Sequence, residues 1–401
     1  MPGELSKSAA IIGAAEANEI GYPATPKTAL QLHMEAIKNV SDQTGIPISR
    51  IDGIFSAGWS SELAEHLGLH PKYIDTTSVG GCSFEMHVHH ALAAIHAGII
   101  DCALVSHGES GWSARANKGK GTGRGGGGDP WAPGTQFTVA YGLSGAPSNY
   151  SHAMTRHNYR YGSTPEDFAS IAVVTRQWAT LNPRAVMFSK DTNPAGGPIT
   201  VEDVQKSRLI SWPLTLLHVC LVTDYGGAVL ITNRELAKTA KTKPVWIAGA
   251  GENMSHSNML EMEDFTATSA AASSAAAYKM AGMGPEDMEM AMIYDSFTVT
   301  AGITAEMLGL APRGEGFRLW QSGDAAPGGR FPINTNGGGL SFNHSGMYGM
   351  QLLVEAYRQL SGTAADGVNG LPGKQTNARS CVVNGTGGSL STTGTLVLVS
   401  D

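Results

Sequence analysis

No apolar run in this chain reaches the roughly 18 residues that a membrane-spanning helix needs. The opening Met1-Pro2-Gly3-Glu4 also lacks the basic-then-apolar pattern of a secretory leader. Charge is scarce: Asp, Glu, Lys and Arg make up only 15% of the residues, a composition that suits a surface used for subunit contacts. Acidic residues outnumber basic ones, 34 to 27, giving a formal charge of −7. That balance argues against a nucleic-acid binder, which needs a basic stripe. The four cysteines, Cys82, Cys102, Cys220 and Cys381, lie far apart with no CxxC pair. They predict reduced, buried thiols in a cytoplasmic protein rather than a disulfide framework or a thiolate zinc site. The Gly-x-Ser-x-Gly elbow of serine hydrolases and the GxxxxGK[ST] phosphate loop are both missing.

Glycine, in contrast, is abundant, and two glycine-rich phrases stand out: Gly80-Gly81-Cys82-Ser83-Phe84 and Gly338-Gly339-Leu340-Ser341-Phe342. Other features recur around them in the same order. An apolar strand ending Ile12-Gly13-Ala14-Ala15-Glu16 has its echo in Val245 to Glu252. Helical patterns follow at Thr28 to Thr44 and Thr268 to Met283, then strands at Ile51 to Phe55 and Met290 to Tyr294. The glycine corners lead to helical patterns at Phe84 to Ala97 and Tyr348 to Leu360, then strands at Cys102 and Cys381. The last echo pairs Gly226 to Ile231 with Gly387-Gly388 and Thr395 to Val399.

Strands alternating with helices of about a dozen residues predict βαβ units in mostly parallel sheets covered by helices. The internal repetition predicts two such units packed together. Residues 1–240 form one half and 241–401 the other, and the first half carries an insertion at about 110–212. That insertion opens with the glycine-rich run Lys118 to Gly128 and Asp129-Pro130-Trp131, which reads as a surface loop. Two helical segments follow, Ala146 to Tyr161 and Thr164 to Leu181, placed to cover the sheet and a substrate.

Three residues carry candidate chemistry. Cys82 stands at a predicted helix N-terminus, where free N–H groups and the helix dipole favour a thiolate. His344 ends the polar glycine loop Asn334 to Gly346, where backbone N–H groups can approach an oxyanion and an imidazole can move a proton. Tyr294 ends a predicted strand, the usual edge of a ligand cavity in α/β sheets. The competing readings are a packed thiol, a loop histidine bonded to backbone and a core ring. His87, His89, His90 and His96 crowd one helix, and structural or dimer-facing roles fit them better than metal, because no carboxylate or cysteine except Glu85 joins them at fitting spacing.

Taken together, these residues resemble the thiolase superfamily, and more closely the sterol-carrier-protein-type and lipid-transfer-protein-type thiolase-like proteins. Four places carry the resemblance: Gly80 to Ser83 with Ala93-Ala94-Ile95-His96-Ala97-Gly98, Tyr294-Asp295-Ser296-Phe297, Asn334 to His344, and Val383-Asn384-Gly385-Thr386-Gly387-Gly388. The resemblance implies an α/β thiolase fold: two duplicated βαβαβ-type halves in a layered α/β/α/β/α core with a helical insertion. It further implies oxyanion or substrate-binding positions at Ser83, Asn336, Gly338, Gly387 and Gly388. Other implications are an acyl-CoA-type substrate, no cofactor or metal held by the chain, a homodimer, and a small partner subunit with an OB-fold and zinc ribbon.

Departures from the family pattern bear on the reaction. Aligned through Ile95 and Gly98, the thiolase nucleophile falls on Gly81, with Cys82 one residue later. Tyr294 and Ser296 replace the His and Cys of the strand-end motif, Asn384-Gly385-Thr386 replaces the C-terminal Cys-x-Gly, and His344 is retained. Thiolysis needs an acyl-enzyme thioester and a second proton carrier. The remaining set implies retro-aldol cleavage of a β-hydroxyacyl-CoA, of steroid or lipid side-chain type, with Tyr294 and His344 as acid and base. The alternatives are an acyltransferase working through Cys82 and a non-catalytic lipid or acyl-CoA binding subunit.

Overall fold

The computed structural model of the chain describes residues 3–116, 133–143, 145–364 and 372–401. The glycine-rich Lys118 to Gly128 run and Asp129-Pro130-Trp131 lie outside the described residues. The strands are β1 (Ala9–Glu16), β2 (Gly53–Phe55), β3 (Tyr73–Asp75), β4 (Cys102–Ser110), β5 (Leu209–Ser211), β6 (Leu214–Thr215), β7 (Asp224–Asn233), β8 (Val245–Met254), β9 (Met290–Ile293), β10 (Ser380–Gly387) and β11 (Thr392–Val399). The helices that frame the site are α1 (Ala29–Thr44), α2 (Ser83–His96), α3 (Gly145–Tyr161), α4 (Pro165–Ala179), α5 (Ala270–Ala281), α6 (Thr298–Met307) and α7 (Gly349–Ser361). Among the described residues, no helix is long and apolar enough to cross a membrane.

Local chemistry starts and stops these helices. Thr28 and Thr164 precede α1 and α4, and each forms a reciprocal capping box, with Gln31 and Asp167 respectively. Each such cap stabilises its helix by about 1 kcal/mol. Gly45 at +73° ends α1 in the left-handed conformation that a side chain resists.

A nine-stranded sheet runs β3-β2-β4-β7-β1-β8-β11-β10-β9. Its centre is a weak seam, since β1 and β8 share only the pairs Ala10–Trp246 and Ile11–Val245. Outward from that seam one side reads β1, β7, β4, β2, β3 and the other β8, β11, β10, β9. Where a fifth strand would complete the second series, Ile333 makes an isolated parallel bridge to Ala291. The repetition read in the sequence is therefore a repetition of strand order.

Strand alternation sorts the side chains into layers. Ile11, Val105, Val229, Val383 and Leu398 point inward to one core shared with Phe84, Val88, Leu352 and Val354 of α2 and α7. Their strand neighbours point outward: Ile12, Leu104 and Leu230 pack with Ala36 and Val40 of α1, and Val382 and Val397 with Ala270 and Ala277 of α5. The two half-sheets thus enclose α2 and α7, with helices outside each, which is an α/β/α/β/α order. From the insertion, α3 and α4 join the outer core of the second half through Tyr150, Met154, Phe168 and Ile171.

Two expectations need correction. The sheet is mixed rather than mostly parallel: among the described strands, only β2–β3, β2–β4 and β9–β10 run parallel. β10 turns into β11 through the short 388–391 connection, which leaves no length for a crossover helix and forces an antiparallel pair. The insertion likewise returns β7 antiparallel to β4. Nor are the two glycine corners equivalent helix starts. α2 begins directly after Cys82, whereas Gly338–Phe342 closes into a π-type turn and α7 begins only after Tyr348.

Candidate active site

Tyr294 continues the line of β9, donating its backbone N–H to Asn384 O at 3.0 Å. The next residue, Asp295, is fully buried and holds the glycine loop. Its Oδ1 accepts the Gly339 N–H at 2.6 Å, and a Cβ on Gly338 would collide with the same carboxyl. The preceding residues are fixed one by one. Asn334 exchanges two 2.8 Å hydrogen bonds with the Ile293 backbone, and Thr335 donates to Glu355 at 2.6 Å. Asn336 Oδ1 accepts both the Gly338 N–H and the Tyr348 hydroxyl at 2.9 Å. At its far end the loop is tied to Thr223, whose hydroxyl accepts the His344 N–H at 2.9 Å.

This framework brings Tyr294 and His344 together. Tyr294 Oη lies 3.2 Å from His344 Nε2 and accepts the backbone N–H of Tyr348 at 3.1 Å. With the amide donating to Oη, the tyrosine hydrogen is free to donate to an unprotonated Nε2. The Tyr348 ring stacks on His344 at 6.0 Å and meets Tyr294 edge-on at 5.8 Å, which limits both to one orientation. Burial lowers the His344 pKa to about 4, so the imidazole rests neutral. Burial also holds the Tyr294 hydroxyl well above its ordinary range, so it rests protonated. Asp295 is pushed up to about 7, again chiefly by burial.

Gly81 makes room for this pair. A Cβ added there would overlap the Tyr294 ring and hydroxyl. The position that aligns with a thiolase nucleophile is thus filled from across the site by a phenol.

Cys82 faces another way. Its thiol is fully buried and directed at the Thr392 carbonyl of β11 at 3.4 Å. The expected thiolate is reversed: burial, then the nearby Glu85 carboxyl, drives the thiol pKa far up. Desolvation outweighs the helix N-terminus here. Ser83 locks the turn, donating to Gly80 O at 2.6 Å and accepting the Val79 N–H at 3.0 Å. Gly387 and Gly388 lie against Gly80, where a Cβ would come within 2.8 Å of Gly388 N.

Several neighbours carry no motif that a single sequence could reveal. Tyr150 of α3 stacks on Phe297 at 4.2 Å and donates to Gly388 O at 3.2 Å, while Asn149 donates to Ser389 at 2.9 Å. The insertion is therefore latched to the glycine loop after β10. Half-buried Cys220 donates its backbone N–H to Ser296 O, and its thiol is pushed up to about 12 by burial and then Asp295. Glu109, at the end of β4, accepts the Met347 N–H at 3.0 Å beside the His344 loop. The signal missed in Tyr348 is its backbone amide, a group every residue but proline possesses.

The histidine-rich helix serves structure. His90 Nδ1 meets Asp75 at 2.5 Å and Nε2 meets Glu252 at 3.2 Å. The Asp75 hydrogen bond, followed by that to Glu252, raises the His90 pKa to about 9. Among the described residues, no group of three His, Cys, Asp or Glu side chains is arranged to hold a metal ion.

Comparison with known proteins places the fold in a family. Residues 251–400 match the family model described as thiolase C-terminal domain-like. Over 376 residues the chain is 30% identical to the steroid side-chain-cleaving aldolase of Thermomonospora curvata, covering 90% of this chain and 91% of that one. It is 28% identical over 383 residues to the 17-hydroxy-3-oxo-4-pregnene-20-carboxyl-CoA lyase of Mycobacterium tuberculosis, covering 92% and 95%. The solved structure of the Ltp2-ChsH2(DUF35) aldolase matches with a TM-score of 0.85 at 28% identity, over 99% of both chains. The chain belongs to the thiolase superfamily, within its sterol-carrier-protein-type, thiolase-like branch.

Proposed function

We propose that this chain is a thiolase-fold carbon–carbon lyase that cleaves a β-hydroxyacyl-CoA by a retro-aldol step. The observation that carries the reading is the Tyr294–His344 pair, 3.2 Å apart, with the Tyr348 amide on the phenolic oxygen. The named activities of the two relatives, a side-chain-cleaving aldolase and a CoA-thioester lyase, support the same chemistry and a steroid or similar lipid skeleton.

The step balances without a covalent intermediate. The substrate β-hydroxyl gives its proton to Tyr294 Oη as the tyrosine proton passes to His344 Nε2. The Cα–Cβ bond breaks, and its electron pair moves into the thioester as an enolate while the β-carbon leaves as a carbonyl. Protonation of the enolate carbon returns the proton, leaving one carbonyl product and one shorter acyl thioester. Neutral His344 is the form that can accept, and the Tyr348 N–H at the α7 N-terminus stabilises negative charge as it develops on Oη. CoA enters as part of the substrate. Asn336, Gly338, Gly387 and Gly388 line the loops on which the thioester carbonyl is held, and Ser83 shapes the corner beneath.

The buried, carbonyl-directed thiol of Cys82 weighs against acyl transfer. We take residues 1–240, with the insertion at 110–212, and residues 241–401 as the two halves of a homodimer subunit. A small OB-fold and zinc-ribbon partner completes the assembly, a reading supported by the two-part name of the Ltp2-ChsH2(DUF35) aldolase.

The test is incubation of the chain, alone and with such a partner, with β-hydroxyacyl-CoA thioesters, with detection of the carbonyl product and the shortened thioester. Release of both, lost in Tyr294→Phe and in His344→Ala, is the expected result. An acyl adduct on Cys82, or turnover that survives both replacements, overturns the reading.

A further inference from the structure

Of the two acids in the central helix layer, Glu355 of α7 is paired with Lys374 and Thr335, and Glu85 of α2 is the one left over. It sits in the first turn of α2, is 0% exposed, and neither carboxyl oxygen has a hydrogen-bond partner among the described residues. Buried polar atoms are almost always paired, so an orphaned carboxyl calls for an explanation. The space around it is carved for it. A Cβ on Gly349 would lie 2.5 Å from its Oε2, one on Gly385 would overlap the same oxygen, and one on Gly394 would lie 2.8 Å from the Glu85 Cβ. Gly385 and Gly394 are directly paired across β10 and β11. Three glycines on three elements thus leave room for one side chain that no described residue bonds.

Gly349 is the first residue of α7, directly after Tyr348, whose N–H holds the Tyr294 oxygen. Glu85 and Tyr294 therefore approach the same helix N-terminus from two sides. That end carries a partial positive charge able to stabilise one anion. Two anions sharing it in a dry interior would each raise the cost of the other.

We propose that Glu85 is a positioning residue of the active site, which must carry its proton so that the α7 N-terminus serves the oxyanion of Tyr294. This rests on the lyase reading. The titratable group whose charge couples to it is Cys82, directly before α2, and Tyr294 stands on the other side of the α7 N-terminus, held by the Tyr348 N–H. β10 and β11 present glycines there, and no cation among the described residues is paired with it. Burial accordingly raises its pKa to about 8. Deprotonation above that pH withdraws the helix end from Tyr294.

Two measurements test this, one independent of turnover. Infrared difference spectra of the purified wild-type protein and Glu85→Gln detect a protonated, non-hydrogen-bonded carboxyl directly. The expected band is present at pH 7 in wild type, disappears between pH 8 and 9, and is missing from Glu85→Gln. Its absence from wild type at pH 7 overturns the proposal whatever the reaction is. In the active assembly, wild-type kcat at pH 9 is expected to fall about tenfold relative to pH 7, one unit above the group's pKa. Glu85→Gln is expected to lose that alkaline limb. A band that behaves as expected, with identical alkaline limbs in both proteins, would leave the lyase reading intact and refute the positioning role.

Discussion

The hydroxyl of Tyr294 occupies the space that a side chain on Gly81 would need. The phenol at 294 therefore requires a residue without a side chain at 81. Replacing Gly81 with Ala or Cys should displace the ring, destabilise the fold by about 1–3 kcal/mol and remove lyase activity. Chemical denaturation and product assays check this together. Restored thiolysis in Gly81→Cys at undiminished stability would contradict it.

Tyr294→Phe removes the proton carrier and keeps the ring. The expected loss in kcat is about 10²- to 10⁴-fold, the usual range for a general acid or base, with substrate binding retained. His344→Ala should fall in the same range, and the double variant no further than the more damaging single one, because the two act as a unit.

Cys82→Ser should retain most activity, since the thiol is directed at the Thr392 carbonyl and burial keeps it protonated. Intact-protein mass spectrometry after incubation with acyl donors should show no adduct. An acylated Cys82 would move the chemistry to that corner.

Stability should respond to His344 on the acid side. Its folded pKa of about 4 lies below its ordinary 6.5. Between these values the unfolded chain binds a proton that the folded protein refuses, so stability falls as pH drops through that window. The full contribution is about 3 kcal/mol. Urea unfolding from pH 7 to pH 4 should show a shallower decline in His344→Asn than in wild type.

Asp295 tests the loop. Replacing it with Ala leaves the Gly339 N–H without its acceptor, a loss of about 1–3 kcal/mol for a buried donor. Activity should fall more than tenfold as His344 loses its register, though Asp295 itself touches no substrate in this scheme. An unchanged kcat would mean that Thr223 alone holds the histidine.

By itself the sequence determined the alternation of strands and helices and their duplication, and it singled out two side chains that the fold brings together, Tyr294 and His344. Those are local or periodic properties: a capping box such as Thr164 with Asp167, a glycine run, an apolar strand such as Cys102 to Val105. Tyr294 and His344 were legible because each ends a recognisable motif. Strand direction was not, because the short turn after Gly387 and the return of the insertion decide it through pairing partners far along the chain. The direction of Cys82 was likewise set by β11, more than 300 residues away, and the protonation of its thiol by burial and the Glu85 carboxyl. Only the tertiary structure could place the Tyr348 amide on a phenolic oxygen and Gly81 beneath the phenol. Both are relations between backbone and a distant side chain, and such relations leave no pattern in the order of residues.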